Sequence, residues 1–269
     1  MRGAPVNSAF TLVELLVVIA TTAVITGLLF PVLNKGKRNA QAAYDLNNYR
    51  QIIVAAQMYA GDNNDYLPQP GWGTSVACWA AGADVPPGNA PTFDRYTNAV
   101  LQQLASFREG QLYSWLKNER LLRCPADNVI NAEVLERNIY LSSYVWNAAV
   151  IGFPKKSAVG AVSLTFKVSR FRPDAIIQWE ADETRPYCFN DFCNYPDEGV
   201  SARHDNGPTI GRFDGAAERM PFSDFMAHSG AIASDFSHAG VGWKHCRVPT
   251  PNRLWCSPAH HGVPESSGG

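Results

Sequence analysis

The sequence has no surplus of charge of either sign. Its 23 Lys and Arg against 24 Asp and Glu leave a formal net charge of -1, which gives no reason to expect nucleic acid as a partner, because polyanion binders carry a basic excess. Signatures of catalysis are missing too. No nucleophile elbow, paired-carboxylate motif or familiar metal-ligand spacing occurs, so an enzyme is not expected. Cysteine is missing before Cys78, and charge is nearly missing between Phe10 and Leu33, where Glu14 is the only ionisable side chain in 24 residues.

That uncharged run, FTLVELLVVIATTAVITGLLFPVL, is what organises the chain. As a helix it reaches ~36 Å, enough to cross a hydrocarbon core ~30 Å thick. The apolar core of a signal peptide (~7–15 residues) and a buried helix of a soluble domain (~10–14) are both shorter. Residues 1–9 then read as a leader, 10–33 as a membrane helix, 34–61 as its amphipathic continuation, 62–256 as a globular head and 257–269 as a flexible tail. Glu14 is out of place in such a run, since a carboxylate at mid-membrane costs about 2.5–3.5 kcal/mol on insertion scales. A cation from a neighbouring chain, such as a free amino terminus, would offset that cost; the alternative is an interfacial glutamate that snorkels. Pro31 removes a backbone donor near the end of the run, which predicts a kink or a locally melted turn.

Beyond Pro31 the residues Ala42, Leu46, Tyr49, Ile53, Ala56 and Ala60 recur at spacings of four and three. They form one apolar stripe, expected to dock on a sheet or to form a coiled-coil seam. Gly61 to Asp65 should end the helix; its oxygen side chains suggest calcium, but they complete no known ligand loop, and a cap and turn is the expectation. Pro68 to Pro91 reads as an irregular loop whose Trp72 and Trp79 need cover, and Asn98 to Lys117 as two short helices joined at Gly110. Strand signals follow at Val162–Val168, Ala175–Ala181 and Thr209–Phe213, the last running into Asp214-Gly215, a dipeptide suited to a tight hairpin. The fold class is therefore α+β, a long N-terminal helix packed on an antiparallel sheet with loop-rich insertions.

All six cysteines (Cys78, Cys124, Cys188, Cys193, Cys246, Cys256) follow the apolar run, which fits export to a disulfide-permitting compartment. Lys35, Lys37 and Arg38 after the run, against Arg2 before it, point the other way by the positive-inside rule; the cysteines and the terminal motif outweigh them. The easiest local pairs are Cys188 with Cys193 and Cys246 with Cys256, leaving Cys78 with Cys124, among many pairings that the sequence permits. Zinc has an alternative set in Cys246, Cys256 and His260, at spacings that match no familiar finger, so no cofactor is expected. A histidine near an aspartate can act as base and orienting partner, but His204 and Asp214 lack any accompanying nucleophile, and packing and turn roles are expected for them.

Ser-Ala-Phe-Thr-Leu-Val-Glu-Leu-Leu around Ala9, Phe10 and Glu14 resembles the type IV prepilin cleavage and methylation motif of pilins and type II secretion pseudopilins. The resemblance implies a prepilin peptidase cutting before Phe10, methylation of the new amine, and Glu14 pairing with the amine of an adjacent subunit. Ala9 stands where that family normally has Gly. Gly110-Gln-Leu-Tyr-Ser-Trp-Leu-Lys, Arg123-Cys-Pro-Ala-Asp127, Ser142-Ser-Tyr-Val-Trp-Asn147, and His204 followed after nine residues by Asp214-Gly215 resemble, in this order, a pilin-like group best known from planctomycete and verrucomicrobial bacteria. The implied partners are further copies of the chain, the peptidase, the assembly machinery and, before assembly, the inner membrane. The implied destination is a surface filament or a periplasmic pseudopilus. The second reading from sequence is a membrane-anchored exported protein that binds a glycan or another protein and does not polymerise.

Overall fold

The computed structural model describes residues 11–90, 92–127, 132–152, 165–204, 207–230 and 252–258. Two compact units divide at Ala40, the first Met1–Ala40 and the second Gln41–Gly269. One helix, α1 (Leu12–Asp62), contributes to both. Its first stretch is apolar on all sides, and every residue from Thr11 to Ala40 is exposed. This stretch is long and apolar enough to cross a membrane. The polar groups it contains are satisfied inside the helix: the hydroxyls of Thr21 and Thr22 donate to the carbonyls of Val17 (2.9 Å) and Val18 (2.8 Å), and Thr26 bonds back to Thr22. Such back-bonding is how hydroxyl side chains are tolerated where no water is available. The helix continues unbroken through Pro31, so the melted turn expected there does not form.

From Gln41 onward α1 belongs to the head, and one of its faces is buried. Ala42, Asp45, Asn48, Tyr49, Ile52, Ile53, Ala55, Ala56 and Ala60 are all below a tenth exposed. The expected stripe is present, broadened by Ile52 and Ala55 and interrupted by two polar residues. The helix stops at Asp62, where Asn64 and Asp65 take left-handed φ of 55° and 72°. Asp65 Oδ2 accepts from Ser169, which gives the oxygen cluster a turn-fixing role.

The sheet contains β1 (Tyr144–Asn147), β2 (Ile176–Glu180), β3 (Cys193–Asn194), β4 (Thr209–Arg212) and β5 (Ala217–Arg219), in the order β3-β1-β2-β4-β5. The β1–β2, β2–β4 and β4–β5 pairs are antiparallel. The exception is β3, which runs parallel to β1 with Trp146 opposite Cys193, a departure from the all-antiparallel expectation. The strand expected at Val162–Val168 contributes, among its described residues, only a bridge from Lys167 to Tyr66 before a 3-10 turn begins at Val168. Both predicted short helices form, as α2 (Phe93–Phe107) and α3 (Tyr113–Leu116). Two more are short: α4 (Ala132–Leu135) and α5 (Phe222–Ser229). The loop tryptophans find their cover: Trp79 stacks on Trp146 at 5.3 Å, and Trp72 meets Tyr195 edge-on at 5.0 Å.

Asp214-Gly215 does turn the β4–β5 hairpin, by a different geometry from the one expected. Gly215 alone of the pair has positive φ (91°), and its N–H donates to Arg212 O, the pattern of a three-residue loop closing on a left-handed glycine. On β4, Gly211 lets the helix approach the sheet. A Cβ there would collide with Ile53 Cδ1 and lie 3.2 Å from Tyr49 Cδ1. Gly211→Ala is expected to destabilise the head by about 1–3 kcal/mol through overpacking, measured as a lower denaturant midpoint with an unchanged slope; a variant as stable as the parent would show that α1 is not seated tightly on β4.

Candidate functional site

Four polar side chains from distant parts of the sequence meet inside the head. Asp45 comes from α1, on the same face as Tyr49 and Ile52. Cys124 follows the 3-10 turn Glu119–Leu122, Glu180 is the last residue of β2, and His204 precedes β4. They are 0%, 2%, 0% and 5% exposed, so water does little to compensate their charges. His204 Nε2 lies 3.3 Å from Cys124 Sγ, 3.3 Å from Glu180 Oε1 and 3.6 Å from Asp45 Oδ2. One ligand atom from each of the four falls within 4.8 Å of every other.

The outer atoms of these groups are held from outside. Tyr144 Oη donates to Asp45 Oδ1 at 2.6 Å, the Thr209 N–H donates to Glu180 Oε2 at 3.1 Å, and the Ala126 N–H donates to Cys124 Sγ at 3.4 Å. Asp45 Oδ2, by contrast, is buried with no hydrogen-bond partner among the described residues. Burial and the charge of Glu180 push the Asp45 carboxyl up to about 6. Burial also opposes ionisation of Glu180, but the hydrogen bond from His204 and the charge of Arg203 outweigh it and hold that carboxyl low. His204 is raised: burial disfavours its cation, and Glu180 and Asp45 favour it more strongly. The Cys124 thiol is pushed far up by burial and by the two carboxylates.

Beside the four lies a buried ion-pair network. Arg137 Nη1 donates to Asp127 Oδ2 at 2.9 Å, Ser143 Oγ donates to the same oxygen at 2.7 Å, and Arg203 reaches Asp127 (3.7 Å), Glu180 (3.3 Å) and Glu183 (3.3 Å). Three of the sequence islands therefore converge. Arg123-Cys-Pro-Ala-Asp127 supplies Cys124 and Asp127, Ser142-Ser-Tyr-Val-Trp-Asn147 supplies Ser143 and Tyr144, and the histidine of the last motif supplies its ring. A cleft of about 840 Å³, lined among others by Tyr44, Asn48, Tyr96, Arg123, Cys124 and Tyr140, borders Cys124.

Other expected site residues fall elsewhere. Asp214 binds Arg212 and accepts from the Ala216 N–H at 3.0 Å, a turn role, so it does not orient His204. Cys78, Cys124, Cys188, Cys193 and Cys256 are buried with free thiols, so neither the Cys188–Cys193 nor the Cys78–Cys124 bridge is formed among the described residues, and the pairing with Cys246 lies outside them. Cys124 is held at His204, and Cys188 Sγ lies 3.2 Å from the carbonyl of Glu198, away from Cys193. Ala9, Phe10, Cys246 and His260 lie outside the described residues. Glu14 sits at the start of α1, where Oε2 accepts from the N–H (2.8 Å) and hydroxyl (2.7 Å) of Thr11 while its own N–H donates to Thr11 Oγ. That is a capping box, legible in Thr11-Leu-Val-Glu14. Sequence reasoning missed Asp45 and Glu180, although each has a signal: an acid in register with the apolar stripe, and an acid ending an apolar strand.

Burial opposes ionisation of Asp127, yet Arg203 and Arg137 hold its carboxyl far below the usual value of 3.8. A depressed acid stabilises the fold above its unfolded pKa and loses that contribution as pH falls through the folded one. Asp127→Asn should therefore cost about 3–5 kcal/mol at pH 6, because the buried Arg137 guanidinium loses its anion and Arg203 loses one of three. The gap to the parent should shrink as pH falls below about 4, read from urea unfolding at several pH values. A gap independent of pH would contradict the ionised pairing.

No family profile, curated protein or solved structure matches the chain.

Proposed function

We propose that the chain is a structural subunit of a type IV pilus-like filament or type II secretion pseudopilus, with no catalytic activity of its own. The observation that carries this reading is the composition of α1: one continuous helix exposes all its apolar side chains over Leu12–Leu33 and then buries a face in the head from Ala42 onward. A fully apolar helix needs lipid or other apolar helices around it. In the proposed cycle the precursor sits in the inner membrane, the prepilin peptidase removes residues 1–9 before Phe10, and the helix then leaves the lipid for the centre of a filament of like subunits. Burial against neighbouring helices replaces burial in lipid. The head faces outward, at the cell surface or in the periplasm.

Glu14 would set the axial register by meeting the methylated Phe10 amine of a neighbour. Its capping-box geometry supplies a control, because glutamine also closes such a box while carrying no charge. Glu14→Gln and Glu14→Ala should both insert in the membrane and both reduce filament yield by at least tenfold, measured by shearing and electron microscopy. Normal filaments from Glu14→Gln would mean that the residue serves only as a cap.

The bordering cleft favours one second reading, an anchored protein that does not polymerise and binds a glycan or peptide against Tyr44, Tyr96 and Tyr140. It would yield monomers on gentle extraction.

A further inference from the structure

We propose that Asp45, Cys124, Glu180 and His204 together bind one divalent transition-metal ion, with zinc the best match, as a structural crosslink inside the head. His204 Nε2 carries at most one hydrogen, yet three groups with lone pairs crowd it: Cys124 Sγ at 3.3 Å, Glu180 Oε1 at 3.3 Å and Asp45 Oδ2 at 3.6 Å. One N–H cannot serve both carboxylates, and among the described residues no hydrogen bond is formed to Asp45 Oδ2, although the Thr209 hydroxyl beside Asp45 favours its ionised form. A cation among the four would accept a lone pair from each.

The distances from His204 Nε2 and the donor chemistry fit such an ion. Bonds of ~2.0–2.3 Å to a tetrahedral zinc place its ligand atoms roughly 3.3–3.8 Å apart, and the three separations from Nε2 fall in that range. A thiolate and an imidazole beside two carboxylates make a mixed sulfur, nitrogen and oxygen donor set, which favours zinc over calcium or magnesium, since those take oxygen alone. Four protein ligands with no water position describe a structural rather than a catalytic site.

The ion binds the Cys124 thiolate, both carboxylates and the bare Nε2 of a neutral His204. The thiol proton and any second proton on the imidazole leave to solvent, and the remaining ring proton sits on Nδ1. Arg203, whose Nη1 lies 3.3 Å from Glu180 Oε1, offsets part of the negative charge it shares with Asp127 and Glu183. The outer contacts do what second-sphere partners do: Tyr144, the Thr209 N–H and the Ala126 N–H fix Asp45, Glu180 and Cys124 with one donor atom turned inward. The cleft at Cys124 provides an access route. This inference does not depend on filament formation.

The test uses the full chain in detergent, purified without chelator. Metal analysis should find about one equivalent of zinc, and cobalt(II) exchanged into the site should give a thiolate-to-cobalt charge-transfer absorption. That absorption should disappear in Cys124→Ser and persist in Cys256→Ser, whose cysteine belongs to the other zinc set. X-ray absorption on the zinc-loaded parent needs no variant, and should find one sulfur and three nitrogen or oxygen neighbours. A shell with no sulfur or with two or more, a cobalt absorption that survives Cys124→Ser or is lost in Cys256→Ser, or a parent that takes up neither metal would overturn the proposal.

Discussion

A single helix in this protein must be buried by two different things. Over its first half α1 offers apolar side chains in every direction, so no one-sided protein surface can cover it; over its second half it offers one face, which the sheet of its own head covers. Hydrophobic burial is proportional to the apolar area removed from water, and the helix gains it only when both surroundings are supplied. The head is built to hold its half. Gly211 brings the sheet against Tyr49 and Ile53, and Asn48 and Gln57 bond to backbone carbonyls of the neighbouring Arg123 and Phe213.

The polar interior of the head is the less expected part. Desolvating a charge costs several kcal/mol, and a buried ion pair recovers that only with good geometry and further hydrogen bonds. Asp127 has both, through two arginines and Ser143. The group around His204 is less complete: Glu180 is met by Arg203, His204 and the Thr209 N–H, but an oxygen of Asp45 is left without a hydrogen bond among the described residues. Breaking any one partner should therefore cost more than an apolar contact of the same size. The consequence is a helix, a loop and two ends of a sheet tied at one point, which suits a head that would be carried by its helix.

What was legible in the sequence was what repeats locally. The stripe from Ala42 to Ala60, the strand in Ala175–Ala181, the break at Gly110 and the Asp214-Gly215 turn all follow from residue periodicity or backbone preference acting over a few positions. What was not legible depends on contacts across the chain. Cys188 and Cys193 are close in sequence, yet one thiol packs at the Glu198 carbonyl and the other lies in the strand beside Trp146. Cys124 and His204 meet across 80 positions, and no local pattern announces that. The two-residue β3, too short for a periodic signal, pairs parallel to β1 for the same reason. The motif islands are weak signals taken singly and carry weight in the sequence only through their order, and only the fold brings three of them to one site.

The central claim is that α1 exchanges lipid for like helices once a leader is removed, and it can be tested on the native protein. The exact mass and N-terminal residue should be determined for material recovered from membranes and for material sheared from cells. The account predicts a chain beginning at Phe10, heavier by one methyl group and enriched in the sheared fraction. A chain beginning at Met1 and confined to membranes would contradict it, leaving an anchored protein whose apolar helix never leaves the lipid.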